Sequence, residues 1–288
     1  MSPNMKPTES KAVVLVLCGG GSKGAVEVGC YRALLELGVS VDAIVGTSIG
    51  AVNGAFIAAG IPVAEIIALW QRVKFSDLFA FNWAALWNPR TAASLYDNRK
   101  LRRFLERHLP ARFEELLLPL TIIGTDLRTG EMVLMEKGNL IDAIVASTAV
   151  PGILPPVTVE GREIVDGGLA NNLPLDVAAQ KGARVVLAMR CGCRRPLAQT
   201  PRGILGILSR SFDISLNGRW DCQIEPYRDR TRFIVLEPCL DENIGLLDFS
   251  HSAELIEIGY RFALSELRGQ ATEWFDPISM GGAESVIW

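Results

Sequence analysis

The chain has 288 residues, 49% hydrophobic and 21% charged, with a formal net charge of -3 at pH 7. That length suits one large domain or two small ones with a sizeable core, and that composition excludes a disordered chain. A charge so close to zero excludes the global basic field of a nucleic-acid binder, so no nucleic-acid partner is expected.

Residues 1–11 are polar and rich in breakers, so they are expected to form a flexible tail; they lack the apolar stretch of a signal peptide. The first apolar run, Ala12 to Cys18, is far too short to span a bilayer, and no later run reaches the roughly 20 apolar residues required. A mean hydropathy of +0.25 hints at a lipid-facing surface. The expected location is the cytoplasm, with peripheral contact to a membrane. Six cysteines are present, three of them inside apolar runs, and Cys191-x-Cys193 lacks the spacer of a redox or zinc pair; reduced thiols are expected.

Ala12 to Leu17 is apolar and β-branched, which predicts a buried parallel strand. Gly24 to Leu37 follows at helical spacing, with Gly38 as its C-terminal stop. Ala43 to Val45 predicts a second strand, and Ile49 to Ala59 a helix of small residues ended by Gly60. Strand and helix thus alternate twice, which predicts an α/β domain with a mostly parallel sheet. Residues 62–115 read as a helical insertion carrying Trp70, Phe75, Phe79, Phe81, Trp83 and Trp87. Further strands are predicted at Leu120 to Gly124, Glu131 to Met135, Ile164 to Val165, Arg184 to Met189 and Thr231 to Leu236. Helices are predicted at Gly138 to Ala146, Leu173 to Gln180 and Ser250 to Leu267. With no repeat or low-complexity linker in view, residues 12–288 are expected to form one domain.

Three glycine-rich sites carry the chemistry. Gly19-Gly20-Gly21-Ser22-Lys23-Gly24 lies between a strand and a helix, where bare backbone N–H groups face an anion. Such a loop cradles either a pyrophosphate or the oxyanion of an acyl transfer. Gly46-Thr47-Ser48-Ile49-Gly50 fits a nucleophile elbow, whose glycines avoid a clash at a sharp strand-to-helix turn. The N–H groups of Ile49 and of Gly20 or Gly21 are then candidate oxyanion donors. Gly20 to Gly24 fits the same serine pattern, so Ser22 competes with Ser48. The glycine triplet favours Ser48 as nucleophile and Ser22 as a helix cap. Asp166-Gly167-Gly168 closes a short strand; on its own this tripeptide is an ordinary turn.

A serine hydroxyl needs a base. His108 and His251 are the only histidines, and neither has a strand-end context. No clustered ligand set marks a metal site and no cofactor is expected, so a carboxylate base remains, with Asp166 the best placed.

Together, and in this order along the chain, these motifs resemble the patatin-like phospholipases. Ala146-Ser147-Thr148-Ala149-Val150-Pro151-Gly152 and Asp166-Gly-Gly-Leu-Ala-Asn-Asn-Leu-Pro add to the likeness, which covers about residues 12–190. The resemblance implies a three-layer α/β/α fold and a Ser-Asp dyad without histidine, with Ser48 as nucleophile and Asp166 as base. It implies an oxyanion hole at the loop Gly19 to Gly24, supported by the elbow glycines Gly46 and Gly50 and by Gly167 and Gly168. It also implies a lipid ester as substrate. Relatives often carry Arg where Lys23 stands, so Lys23 is a candidate headgroup contact lacking the bidentate fork. Rival readings are a generic esterase or thioesterase, a non-catalytic signalling protein on the same fold, and a nucleotide-binding oxidoreductase. The last lacks an acidic residue at the end of the second strand. The uncharged run 79–87 reads as an insertion packing on itself or as a lid or membrane-docking surface. The arginines 190, 194, 195, 202 and 210 around the apolar run 203–208 read as a solvated face or an anionic-lipid contact.

Overall fold

The computed structural model describes residues 13–88, 92–193, 200, 202, 214, 220–241 and 244–268. Strand β1 (Val13–Leu17) is buried along its whole length. Leu15 and Leu17 enter one apolar cluster, while Val14 and Val16 enter another on the opposite face. Alternate side chains of an extended strand point to opposite faces, so a strand apolar at every position must be covered on both. Helices α1 (Ala25–Glu36) and α2 (Ile49–Ala58) cover the first face with the long helix Ser252–Leu267. Helix α9 (Leu175–Gln180) and the short helix Trp220–Ile224 lie on the second. The three-layer α/β/α arrangement is therefore the one expected.

The eight-stranded sheet has the order β10-β9-β1-β2-β5-β8-β7, with β6 paired to β5 off this path. The strands are β2 (Ala43–Thr47), β5 (Leu120–Asp126), β6 (Met132–Met135), β7 (Val157–Val159), β8 (Arg162–Asp166), β9 (Val185–Met189) and β10 (Arg232–Leu236). The run β10-β9-β1-β2-β5 is parallel; β6, β7 and β8 join antiparallel. Strand β7 and the first half of β8 were not expected from the sequence. Thr158 is exposed and Arg162 and Glu163 face water, so neither segment has the apolar signature of a central strand.

Register on β5 sets up the site. One edge of β5 holds β6 over residues 122–125. The other edge must then carry both β2, whose Thr47 pairs with Ile123, and β8, whose Asp166 pairs with Gly124. Two strands running in opposite directions therefore end against each other on one side of β5.

The insertion comprises α3 (Val63–Arg72), α4 (Phe75–Leu78), α5 (Ala84–Trp87), α6 (Arg99–His108) and a two-stranded hairpin, β3 (Ala80–Phe81) with β4 (Tyr96–Asp97). Its aromatic rings partly pack on one another: Phe75 on Phe79 and Tyr96, Phe81 on Trp83 and Tyr96. Trp83 and Trp87 nonetheless stay 68% and 87% exposed. No helix among the described residues is long and apolar enough to cross a membrane.

Three expectations need correction. Ser22 does not cap a helix: it is fully buried in a 3-10 turn, Gly21–Gly24, and its hydroxyl donates to the Gly245 carbonyl (2.9 Å). Cys193 and Cys239 form a disulfide, against the reduced reading. Arg190 is buried and ion-paired with Glu237, so it is not part of a solvated basic face. Arg202 is exposed, while residues 1–11, the other arginines of that stretch and the run 203–208 lie outside the described residues.

Candidate active site

Ser48 sits between β2 and α2 with φ 53 and ψ -119, a left-handed backbone shared by only one other non-glycine, Glu160, among the described residues. Such a conformation costs on the order of 1–3 kcal/mol and persists where the surroundings enforce it. The surroundings here are specific. A side chain at Gly46 would press 2.8 Å from the carbonyl carbon of Gly50, and one at Gly50 would strike the Leu17 carbonyl of β1. The turn is therefore as tight as the pattern predicts, and it drives against the neighbouring strand as well. The Ser48 N–H donates to Ser147 Oγ (2.8 Å), and that hydroxyl donates to the Ile123 carbonyl (2.6 Å). Ser147 closes α7 (Leu140–Ser147) and thus pins the elbow to β5.

Asp166 ends β8, only 2% exposed. Its Oδ2 accepts the Ser48 hydroxyl at 2.6 Å and its Oδ1 accepts the Gly168 N–H at 2.8 Å. Burial pushes its carboxyl up to about 6, while the bonds from Ser48 and Gly168 pull the other way. Gly167 rests so close to the Ile123 carbonyl that a Cβ would collide with it. Gly168 opens the short helix α8 (Gly168–Asn171). Thr125 holds the Asp166 carbonyl from β5 (2.8 Å).

The glycine loop lies across from this pair. Gly19 passes so close to Ser48 that an added Cβ would stand 3.1 Å from the serine Cβ. Its N–H, however, is taken by Asn172 Oδ1 (3.1 Å), and Asn172 Nδ2 donates back to the Gly19 carbonyl (3.3 Å). Gly20 and Gly21, the other members of the triplet, also line the cleft. Ile49 opens α2, so its N–H has no helical carbonyl to bind. Gly24 packs directly under the Ile49 side chain and passes its carbonyl to Asn53 (2.9 Å); its part is close packing. Lys23 is half-buried and does not line the cleft. Neither histidine touches the pair. His108 Nδ1 lies 2.8 Å from the Phe104 carbonyl, and His251 stands beside Glu254 and Asp248.

Ser48 and Asp166 open into a cleft lined almost wholly by apolar side chains. Val52 and Phe56 line it from successive turns of α2, and the insertion supplies Trp70, Leu101 and Phe104. Asp166 is the one charged side chain lining it among the described residues. Trp70 is fixed there by its indole N–H, which donates to Asn53 Oδ1 (2.9 Å). Ser147 and Asn172 were not singled out from the sequence. Both stood in segments quoted only for their likeness to a family, and small polar residues in apolar or turn-rich text carry no signal of whom they will meet.

The α/β sheet thus presents a buried, hydrogen-bonded serine–aspartate pair at its strand ends, facing an apolar cleft. The model of the patatin-like phospholipase family matches residues 15–179, and the chain belongs to that family. It is 35% identical over 186 residues to the patatin-like phospholipase domain-containing protein 7 of Rattus norvegicus, covering 64% of this chain and 14% of that protein. It is 28% identical over 285 residues to an NTE family protein of Mycobacterium tuberculosis, covering 90% of this chain and 47% of the other. It is also 28% identical over 256 residues to the lysophospholipase NTE1 of Mycosarcoma maydis, covering 85% of this chain and 12% of that protein. The chain thus spans less than half the length of each of these relatives.

Proposed function

We propose that the chain hydrolyses acyl esters of lipids, with Ser48 as nucleophile and Asp166 as general base. The observation that carries this reading is the 2.6 Å hydrogen bond from Ser48 to a buried carboxylate at the floor of an apolar cleft. Asp166 takes the hydroxyl proton as Ser48 Oγ attacks the ester carbonyl. The developing oxyanion is met by the N–H groups of Gly20, Gly21 and Ile49. Collapse of the tetrahedral adduct expels the alcohol, which leaves with the proton from Asp166. Water then gives a proton to Asp166 as it attacks the acyl-enzyme; collapse of the second adduct breaks the bond to Ser48 Oγ, which takes that proton back from Asp166 as the fatty acid leaves. The cleft favours an acyl chain, since burying each CH₂ is worth about 0.8 kcal/mol and, among the described residues, the lining side chains are apolar apart from Ser48, Thr148, Asp166 and Asn172. A headgroup would sit outside, where Lys23 is the nearest expected contact. The exposed Trp83 and Trp87 would place the protein at a lipid surface, as amphipathic indoles favour that interface.

A fluorophosphonate probe tests the nucleophile. Wild type should be labelled and Ser48→Ala should not; labelling that survives Ser48→Ala and disappears in Ser22→Ala would give the role to the other serine.

A further inference from the structure

Behind the glycine loop lies a second cluster that the proposed reaction does not use. Cys18 follows the end of β1, Glu27 lies in α1 and Cys191 follows β9. Their two sulfurs and a carboxylate oxygen all lie within 4.8 Å of one another. Cys18 is 3% and Glu27 1% exposed. Asn53 donates to Glu27 Oε2 (2.8 Å), but Glu27 Oε1 is buried with no hydrogen-bond partner. A carboxylate oxygen left so is expensive, and a cation beside it would remove the cost.

We propose that Cys18, Glu27 and Cys191 bind a single zinc ion, which ties together the ends of β1 and β9 and the first turn of α1. Three atoms no more than 4.8 Å apart always leave a point within about 2.8 Å of each, so contraction of at most about 0.5 to 0.8 Å reaches zinc–sulfur and zinc–oxygen lengths. Two thiolates with one carboxylate suit zinc over magnesium or calcium, which prefer oxygen alone. The three negative ligands exceed the ion's charge by one, and the buried Arg190 is next in sequence to Cys191. The ion would be structural. Cys191 lies directly under Gly20, where an added Cβ would stand 2.8 Å from its sulfur, so a fixed Cys191 fixes a candidate oxyanion donor. Sequence patterns miss such a site because its ligands come from three separate segments.

The test is a cobalt(II) titration of the whole chain under mild reduction. The expected result is one equivalent bound with thiolate-to-cobalt charge-transfer absorption, displaced by zinc. Cys18→Ser and Cys191→Ser should each lose the band. Glu27→Gln should weaken binding about tenfold or more. Cys222→Ser and the double variant Cys193→Ser, Cys239→Ser should keep it. The wild-type spectrum stands even if a variant fails to fold. Absence of the band in wild type, its persistence in both cysteine variants, or a Cys18–Cys191 disulfide in the isolated protein would each overturn the proposal.

Discussion

At Asp166 the environment matters as much as the residue. Its carboxyl is raised by burial to about 6, so the base is lost as pH falls through that value. With Asp166 as base, kcat/KM on a soluble ester should fall about tenfold per unit below pH 6 and level off above it. Asp166→Asn should cost on the order of 10² to 10⁴ in rate. A carboxyl whose folded value is raised stabilises the fold below its ordinary range and loses that contribution as pH rises through about 6. Asp166→Asn should therefore melt at or above wild type at pH 8, an advantage of at most about 3 kcal/mol, and should lose that advantage near pH 4. An Asn variant that melts well below wild type at pH 8 would contradict it. His108→Ala and His251→Ala should stay within several-fold of wild type, with circular dichroism as the control for folding. Ser147→Ala should lower kcat more than it raises KM, because it removes the acceptor that holds the Ser48 backbone. Ser48 stood out because steric demand forces glycines around a sharp turn, whereas Asp166 stood out only through its strand-end place and the family resemblance. Ser147 was illegible because its partners, Ser48 and Ile123, are 99 and 24 residues away.

Elements carry the next set of consequences. Helices α1 and Ser252–Leu267 cross at two glycines: a Cβ on Gly29 would collide with the Ile256 carbonyl, and one on Gly259 with the Val26 carbonyl. Gly259→Val should cost several kcal/mol, read as a lower denaturation midpoint, since backbone on both sides must move apart. In the insertion, Phe104 packs edge-on to Phe56 and both line the cleft. Phe104→Ala should shift the preference among p-nitrophenyl esters toward longer acyl chains; an unchanged profile would place the chain elsewhere. Trp83→Ser with Trp87→Ser should reduce vesicle binding while sparing hydrolysis of a soluble ester. The helices were legible where apolar residues recur at helical spacing and a left-handed glycine such as Gly38 or Gly60 ends them. The insertion's role was not. Trp70, Leu101 and Phe104 read alike whether they pack on one another or wall a cleft, and only tertiary placement decides.

For the molecule as a whole, one buried strand is shared by two cores, since β1 sends Leu15 and Leu17 to one and Val14 and Val16 to the other. Leu15→Ala should cost about 2–5 kcal/mol, and urea unfolding should remain a single transition, because neither layer can open without exposing β1. Two separated transitions would instead support independent units, against the expectation of one domain over 12–288. The parallel half of the sheet was legible from its unbroken apolar strands. Of the antiparallel half, β6 and the buried end of β8 were legible, while β7 and the first half of β8 were not, because they are short and largely exposed.

The meeting of β2 and β8 along one edge of β5 makes that strand a ruler. Thr47 and Asp166 are held at adjacent rungs, opposite Ile123 and Gly124, so the gap between Ser48 and Asp166 is measured out by backbone repeat and not by loop conformation. Loops beyond the ruler are free to lengthen or diversify without detuning the pair. A single residue inserted between Ile123 and Gly124 would slide the two marks apart by about 3.3 Å and turn one of them to the opposite face, a lesion no side-chain substitution elsewhere could mend.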